Sequence, residues 1–95
     1  MAKWHTEATD RLIRAIASVK DMEEGYILME DLCTIKEIID ISQRLEVARL
    51  LIDGKNYQEI TKLTGVSTAT ISRVNKCLEY GNGGYRAALE KIVSE

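Results

Sequence analysis

The segment from Tyr57 to Leu78 contains the side chains best suited to bind a charged, hydrogen-bonding partner. If its second half is a helix, Ile71, Val74 and Leu78 share one face at about 100° per residue. The opposite face then carries small, hydroxylated or basic side chains: Thr68, Ala69, Ser72, Arg73 and Lys76. Hydroxyls meet phosphates, Thr and Ala contact base edges, and Arg or Lys reaches guanine or phosphate. This face therefore predicts contact with the major groove of double-stranded DNA.

Two helices joined by a short turn would hold this face outward. Residues 57–78 predict a helix-turn-helix with a three-residue turn, in which Gly65 is the permissive residue and Ser67 caps the second helix. The apolar residues expected to lock the two helices together are Ile60, Leu63, Val66, Ile71 and Val74. The alternative is an αα-hairpin used for packing alone. Such a hairpin has no need to keep Thr, Ser, Arg and Lys on one side, so the pattern favours the helix-turn-helix.

The preceding half of the chain predicts three helices. Apolar residues at helical spacing indicate an amphipathic helix from Thr6 to about Lys20, followed by a short helix from Asp21. The sequence Thr34-Ile35-Lys36-Glu37 matches a capping box, so the third helix should begin there and run to Asp53, with Gly54 as its stop. Apolar residues surround most of this third helix, which predicts that it is buried. A chain of 95 residues has little core to cover it, so a second copy is the expected cover.

The charge of the chain is unevenly distributed. The formal net charge is −2 and the isoelectric point is about 5.5. Residues 1–53 carry 7 Lys and Arg against 11 Asp and Glu, whereas residues 54–95 carry 6 against 4. A polyanion responds to charge within a Debye length of about 8–10 Å, so the acidic total does not exclude DNA. The alternative function, a helical protein–protein interaction module without DNA binding, is favoured by the acidic isoelectric point and stays open.

The sequence lacks the residues that several classes of protein need. No Ser/His/Asp set or paired-carboxylate motif is present, so we expect no catalytic residues and no enzyme. Cys33 and Cys77 lie far apart without a CxxC motif, and His5 is the single histidine, so we expect no metal site, disulfide or cofactor. No apolar run approaches the roughly 20 residues of a membrane span, and the first seven residues lack the apolar stretch of a signal peptide. We expect one domain over residues 1–95 in a cytoplasmic protein without membrane contact.

Three stretches of the chain resemble one known family. They are Leu-Glu-Val-Ala at 45–48, Ala-Thr-Ile-Ser-Arg at 69–73 and Leu-Glu-Tyr-Gly-Asn-Gly-Gly-Tyr at 78–85. They are similar to the Trp-repressor-like superfamily, and more narrowly to the YerC/YecD-type Trp repressor homologues, and the resemblance covers nearly the whole chain. It implies an all-α protomer of six helices and an intertwined homodimer. The first, second, third and last helices would form the shared core, with a helix-turn-helix on each side of the twofold axis.

The same resemblance implies a candidate effector pocket. In the Trp repressor the indole corepressor lies between two arginines, which fall on Arg44 and Arg73, and a threonine backbone site falls on Thr34. The glycine after the second arginine is here Val74, whose β-branched side chain should fill the ligand space. The serine that receives the amino group is here Cys77, a weaker hydrogen-bond partner. We therefore predict that tryptophan is not the effector, and we favour a helix-surface or DNA-phosphate role for both arginines.

The sequence thus predicts a homodimeric transcriptional regulator, with a repressor as the favoured form. Helices over residues 67–76 would enter successive major grooves about 34 Å apart on a palindromic site. Phosphate contacts are expected from Lys55, Lys62, Arg73, Lys76 and Arg86. Base contacts are expected from Ser67, Thr68, Ala69 and Ser72. The operator, the regulated genes and the identity of any small-molecule effector stay open.

Overall fold

The computed structural model describes residues 3–93, which form six α-helices and no strand within that range. The helices are α1 (Glu7–Ala17), α2 (Met22–Leu32), α3 (Ile35–Ile52), α4 (Tyr57–Thr64), α5 (Thr68–Tyr80) and α6 (Gly84–Val93). The predicted six-helix, all-α architecture is confirmed. The chain divides into two compact units, the first ending at Ile38 and the second beginning at Ile39.

Polar side chains cap the first turns of α1, α2 and α3. The Thr6 hydroxyl accepts a hydrogen bond from the Thr9 backbone N–H at 3.1 Å, and the Asp21 carboxylate caps α2 in the same way. Thr34 and Glu37 form the predicted capping box, with the Glu37 N–H 3.1 Å from the Thr34 hydroxyl and the Thr34 N–H 2.8 Å from the Glu37 carboxylate. These bonds satisfy N–H groups that have no partner inside the helix. The first residues of these helices are therefore determined by hydrogen bonds between side chains and backbone N–H groups three residues apart.

Two helix ends fall slightly earlier than predicted. α1 stops at Ala17 and not near Lys20, because the Ser18 hydroxyl donates to the Ala15 carbonyl at 2.7 Å and closes the last turn. α3 ends at Ile52, one residue before the predicted end, and Gly54 follows in the left-handed region with φ +89°.

The first unit leaves its apolar side chains largely in solvent. Neither α1 nor α2 contains a buried residue. The side chains that lie exposed on these two helices include Leu12, Ile13, Ile16, Tyr26 and Ile27. An apolar surface of this extent is typical of an interaction site.

α3 is buried over part of its length only. Val47, Ala48 and Leu50 are buried, whereas Ile35, Ile39 and Ile41 lie exposed. Within residues 3–93, the apolar surface that surrounds α3 is therefore only partly covered. The cover of the remaining surface by a second copy stays a prediction.

The core of the second unit is small and entirely apolar. Its buried side chains come from α3, from α4 and α5, from the turn between them and from α6: Val47, Ala48, Leu50, Ile60, Val66, Ile71, Val74 and Leu89. No polar or charged residue within 3–93 is buried. This core holds α5 by one face and leaves its other face in solvent.

Candidate nucleic-acid interface

The predicted helix-turn-helix is present as α4, a three-residue turn and α5. Gly65 ends α4 with φ +76°, a conformation that strains other residues, and its N–H donates to the Thr61 carbonyl at 2.8 Å. Val66 is buried in the core. The Ser67 hydroxyl then accepts a hydrogen bond from the Thr70 N–H at 3.3 Å and caps α5, as predicted. The turn therefore sets the direction in which α5 begins.

Four of the five residues predicted to lock these helices together are buried. They are Ile60, Val66, Ile71 and Val74. The fifth, Leu63, was wrongly predicted, since 64% of its surface is exposed. The inward face of α4 is instead formed by Tyr57, Ile60 and Thr64.

Thr64 takes an inward position because it satisfies the backbone there. Its hydroxyl donates to the Ile60 carbonyl at 2.7 Å and accepts a hydrogen bond from the Val66 N–H at 3.3 Å. Leu63 lies to one side of this face, at a shallow cavity that Ser42, Gln43 and Glu46 of α3 also line. The apolar side chain of Leu63 is thus next to polar neighbours and outside the core.

The outward face of α5 is accessible, as the helical spacing predicted. Ser67, Thr68, Ala69, Arg73 and Lys76 are exposed, and Ser72 is half-buried. Two of the three other cations predicted to bind phosphates, Lys55 before α4 and Lys62 within it, are also exposed. The third, Arg86, is exposed on α6 and lies outside the helix-turn-helix. The other predicted contacts lie on or next to the helix-turn-helix, with the small and hydroxylated side chains near the start of α5.

The cations of this face are not neutralised by neighbouring carboxylates. Among residues 3–93, neither Arg73 nor Lys76 forms an ion pair with another described residue. The acidic residue of α5, Glu79, instead accepts a hydrogen bond from the Asn75 side-chain amide at 3.1 Å. Asn75 and Glu79 lie one helical turn apart, at the edge of the outward face. The positive charge of Arg73 and Lys76 is therefore available to an anion.

A groove between the end of α3 and α6 has a different character. It has a volume of about 500 Å³ and an apolar lining of Ile52, Leu89, Ile92 and Val93. Its charged margin consists of Arg49, Asp53, Arg86 and Glu90. This groove is an apolar surface with both signs of charge at its edge, and so it does not match a polyanion.

Arg49 at this margin already has anionic partners. Its Nε donates to both carboxylate oxygens of Glu46 at 3.2 Å, and its Nη1 lies 3.5 Å from the Asp53 carboxylate. The hydrogen bond from Arg49 lowers the pKa of Glu46, and the bond to Glu46 raises the pKa of Arg49. Arg49 is therefore already paired with Glu46 of α3 and with Asp53, the residue after this helix.

The residues of the candidate effector pocket lie on α3, at its start and on α5. Arg44 is half-buried on α3, and Arg73 and Cys77 are exposed on α5. Thr34 is exposed at the start of α3, where its hydroxyl is used in the capping box. None of these four residues lines either cavity described above. Val74 is buried in the core, and the effector pocket stays a prediction.

Residues 3–93 contain neither a metal-binding cluster nor a helix that could span a membrane. No group of three His, Cys, Asp or Glu side chains in that range is placed to share a metal ion. Cys33 and Cys77 are free thiols. None of the six helices has both the length and the apolar character that crossing a membrane requires.

One exposed residue of α5 was missed at the sequence level. Tyr80, the last residue of the helix, is 83% exposed and lies seven positions after Arg73. Two helical turns separate these residues, so they share a face. The seven-residue spacing from Arg73 could have identified Tyr80 from the sequence as a residue of this face.

The chain matches the family model of the Trp repressor protein over residues 7–93. It is 54% identical over 83 residues to the uncharacterised protein YerC of Bacillus subtilis strain 168, covering 87% of this chain and 80% of that protein. A crystal structure of a TrpR-like protein from Eubacterium eligens superposes with a TM-score of 0.90 at 50% identity, covering 95% of this chain and 93% of that one. A candidate Trp repressor from Staphylococcus aureus superposes with a TM-score of 0.91 at 42% identity, covering 98% and 93%.

These likenesses agree with the architecture and with the resemblance given by the sequence stretches above. The match extends over all six helices, and it includes the α4–α5 helix-turn-helix with its exposed basic face. At the level of the family, this is a helix-turn-helix DNA-binding regulator and not an enzyme. The chain belongs to the Trp repressor family.

Proposed function

We propose that the chain is a sequence-specific transcriptional regulator, and specifically a repressor, that binds double-stranded DNA as a homodimer. The observation that carries this proposal is the outward face of α5, where Arg73 and Lys76 are exposed beside small hydroxylated side chains and form no ion pair within residues 3–93. A helix that serves packing alone has no use for such a face. Membership of the Trp repressor family supports the proposal.

The α5 helix divides into two functional parts in this proposal. Ser67, Thr68, Ala69 and Ser72, near its start, contact base edges in the major groove. Arg73 and Lys76 further along, together with Lys55 and Lys62 around α4, neutralise phosphates. The first group selects the sequence, and the second group supplies most of the affinity and its dependence on salt.

Homodimer formation is supported by the apolar surface that one chain leaves uncovered. α1 and α2 expose apolar side chains along their length, and the groove between α3 and α6 is lined by Ile52, Leu89 and Ile92. A second copy of the chain offers complementary apolar surface, and a twofold axis repeats the α5 face. Two such helices spaced about 34 Å apart would bind one palindromic operator.

We also propose that the regulator does not respond to tryptophan. Val74 and Cys77 stand where the Trp repressor has a glycine and a serine in the resemblance described above. Titration calorimetry with L-tryptophan should therefore give no saturable heat. Saturable binding at micromolar concentration would contradict this part of the proposal, and Arg44 and Arg73 would then be a ligand clamp.

The chain is proposed to act as one domain in the cytoplasm. The family model extends from residue 7 to residue 93 and so crosses the division between the two compact units, which supports a single functional domain. A DNA-binding regulator of this family works where the chromosome is, which supports the cytoplasmic assignment.

The proposal can be tested by selecting bound duplexes from a random DNA pool and measuring their affinity by fluorescence anisotropy. Arg73→Ala and Lys76→Ala should each weaken binding and should reduce the magnitude of the slope of log K against log salt by about 1.8, because the homodimer loses one phosphate contact from each copy. Lys91→Ala, which removes an exposed cation from α6, is the matched control and should leave both quantities nearly unchanged. If no sequence is enriched and the protein passes through heparin without salt-dependent retention, the protein–protein interaction module is the better description.

A further inference from the structure

We infer that Tyr80 is an additional DNA contact, a neutral hydrogen-bond donor to a phosphate beside the groove that receives α5. This inference rests on the proposed DNA-binding function and deepens it. It assigns a role to the last residue of the helix, which neither the basic pattern nor the helix-turn-helix pattern includes.

The first observation is the position of Tyr80 on α5. Ala69, Arg73, Lys76 and Tyr80 follow one another at intervals of four, three and four residues, which places all four side chains on one line of the helix. At 1.5 Å per residue this line is roughly 16 Å long and extends over almost the whole of α5. A DNA strand that contacts Arg73 and Lys76 is therefore expected to continue toward Tyr80.

The second observation is that no residue within 3–93 covers Tyr80. The ring is 83% exposed, although an aromatic side chain of this size usually gains from burial. The chain turns sharply after it at Gly81, where a Cβ atom would lie 2.4 Å from the Cys77 carbonyl oxygen. Only glycine fits this close approach, and no side chain at position 81 can shield the ring. The turn thus leaves the phenol at the open end of the α5 face.

The third observation concerns charge. Glu79, the neighbour of Tyr80, is hydrogen-bonded to Asn75 at the edge of the face. The residues one and two turns before Tyr80 are the cations Lys76 and Arg73. Lys76 and Arg73 attract a phosphate backbone to this face, and a tyrosine hydroxyl can donate a hydrogen bond to a phosphate oxygen without being charged itself.

Because tyrosine is uncharged, the salt dependence of binding distinguishes its phosphate contact from that of a lysine. A phosphate contact from lysine releases condensed counterions and so changes the salt dependence, whereas a phenol hydrogen bond adds affinity without neutralising charge. Tyr80→Phe keeps the ring and removes the donor. It should therefore weaken binding without changing the salt slope.

The experiment measures anisotropy of a fluorescein-labelled, mixed-sequence duplex of about 24 base pairs, long enough for two half-sites one helical turn apart. Tyr80→Phe should lose roughly a hundredfold in affinity, about tenfold for the one hydrogen bond to a charged group that each copy loses. Lys76→Ala should also lose affinity, but the magnitude of its slope of log K against log salt should fall by about 1.8, one phosphate contact for each copy. Tyr26→Phe, a change at another exposed tyrosine, is the matched control and should bind like the wild type.

The outcomes separate the inference from the function on which it rests. If Lys76→Ala weakens binding but Tyr80→Phe stays within twofold of the wild type, the role of Tyr80 is wrong and the DNA-binding function stands. A changed salt slope in Tyr80→Phe would also overturn the neutral phosphate contact. If the wild-type protein does not bind the duplex even at low salt, the proposed function itself fails.

Discussion

Gly65 and Gly81 lie on either side of α5 and are required for different physical reasons. Gly65 has φ +76° with open space around the position of a Cβ atom, so only its backbone conformation demands glycine. Gly81 has an ordinary φ of −84°, but a Cβ atom there would collide with the Cys77 carbonyl oxygen. The first residue shapes the turn before α5, and the second ends the helix next to Tyr80.

We predict that asparagine distinguishes these two positions. Gly65→Ala should lower the free energy of unfolding by about 1–2 kcal/mol, because alanine is strained in the left-handed region, and Gly65→Asn should recover part of that loss. At Gly81, Asn should be no better than Ala, because both carry the Cβ atom that collides. Urea denaturation followed by circular dichroism measures all four variants. Equal losses for Ala and Asn at position 65 would contradict the conformational explanation.

At the scale of the elements, α4 shows which side chains of a short helix become buried. Ile60 is fully buried, whereas Leu63, three residues later and equally apolar, is mostly exposed. The inward positions beside Ile60 go to Tyr57 and to Thr64, whose hydroxyl joins the backbone bonding at the turn. The stability of the α4–α5 pair should therefore depend on one isoleucine of α4 and not on its leucine.

This difference predicts unequal effects of two truncations. Ile60→Ala should cost about 2–5 kcal/mol of unfolding free energy, since it leaves a cavity in the small core. Leu63→Ala should stay within about 0.5 kcal/mol of the wild type, as exposed substitutions usually do. Thermal and urea unfolding of the two variants gives the comparison. A loss for Leu63→Ala that matches Ile60→Ala would show that Leu63 is covered in solution.

The features of these elements that could be predicted from sequence are local ones. The caps formed by Thr6, Thr34 and Ser67 depend on hydrogen bonds within four residues, so the sequence alone specifies them. The face of α5 follows from helical periodicity in the same way. The exposure of Leu63 depends on how α3 and α5 pack against α4, and the exposure of Tyr80 depends on the turn at Gly81. Neither is visible in the spacing of apolar residues.

At the scale of the whole molecule, most of the exposed apolar side chains lie outside the stretch of chain that carries the basic surplus. The apolar side chains left exposed include those of α1 and α2 and Ile52 and Ile92 near the ends of α3 and α6. The basic surplus belongs to residues 54–95 and includes the exposed cations of α4 and α5. A dimer in which apolar surfaces meet would leave these basic surfaces free for DNA.

We predict that a charge placed in the α3–α6 groove prevents dimer formation. The wild type should have about twice the 10.7 kDa mass of one chain by light scattering. Ile52→Glu should shift the mass toward 10.7 kDa, because an unpaired carboxylate in an apolar interface is costly to desolvate. Leu63→Glu is the matched control, since it adds the same charge at an exposed apolar residue outside this groove, and it should remain dimeric.

Two results would contradict the dimer. A wild-type mass of 10.7 kDa at micromolar concentration would show that the exposed apolar surface is not covered by a second copy. An equal loss of mass in both glutamate variants would show that the groove is not the interface. Circular dichroism of each variant confirms that its helices are retained.

The core of the second unit contains no polar side chain and uses only one face of α5. Thr68, Ala69 and Lys76 contribute nothing to that core, so their replacement should hardly change stability. If α5 reads DNA as proposed, Thr68 and Ala69 can change with the recognised sequence without weakening the core. Duplicated copies of such a gene would then be free to diverge at these two positions in the operators that they bind, while each copy keeps a stable fold.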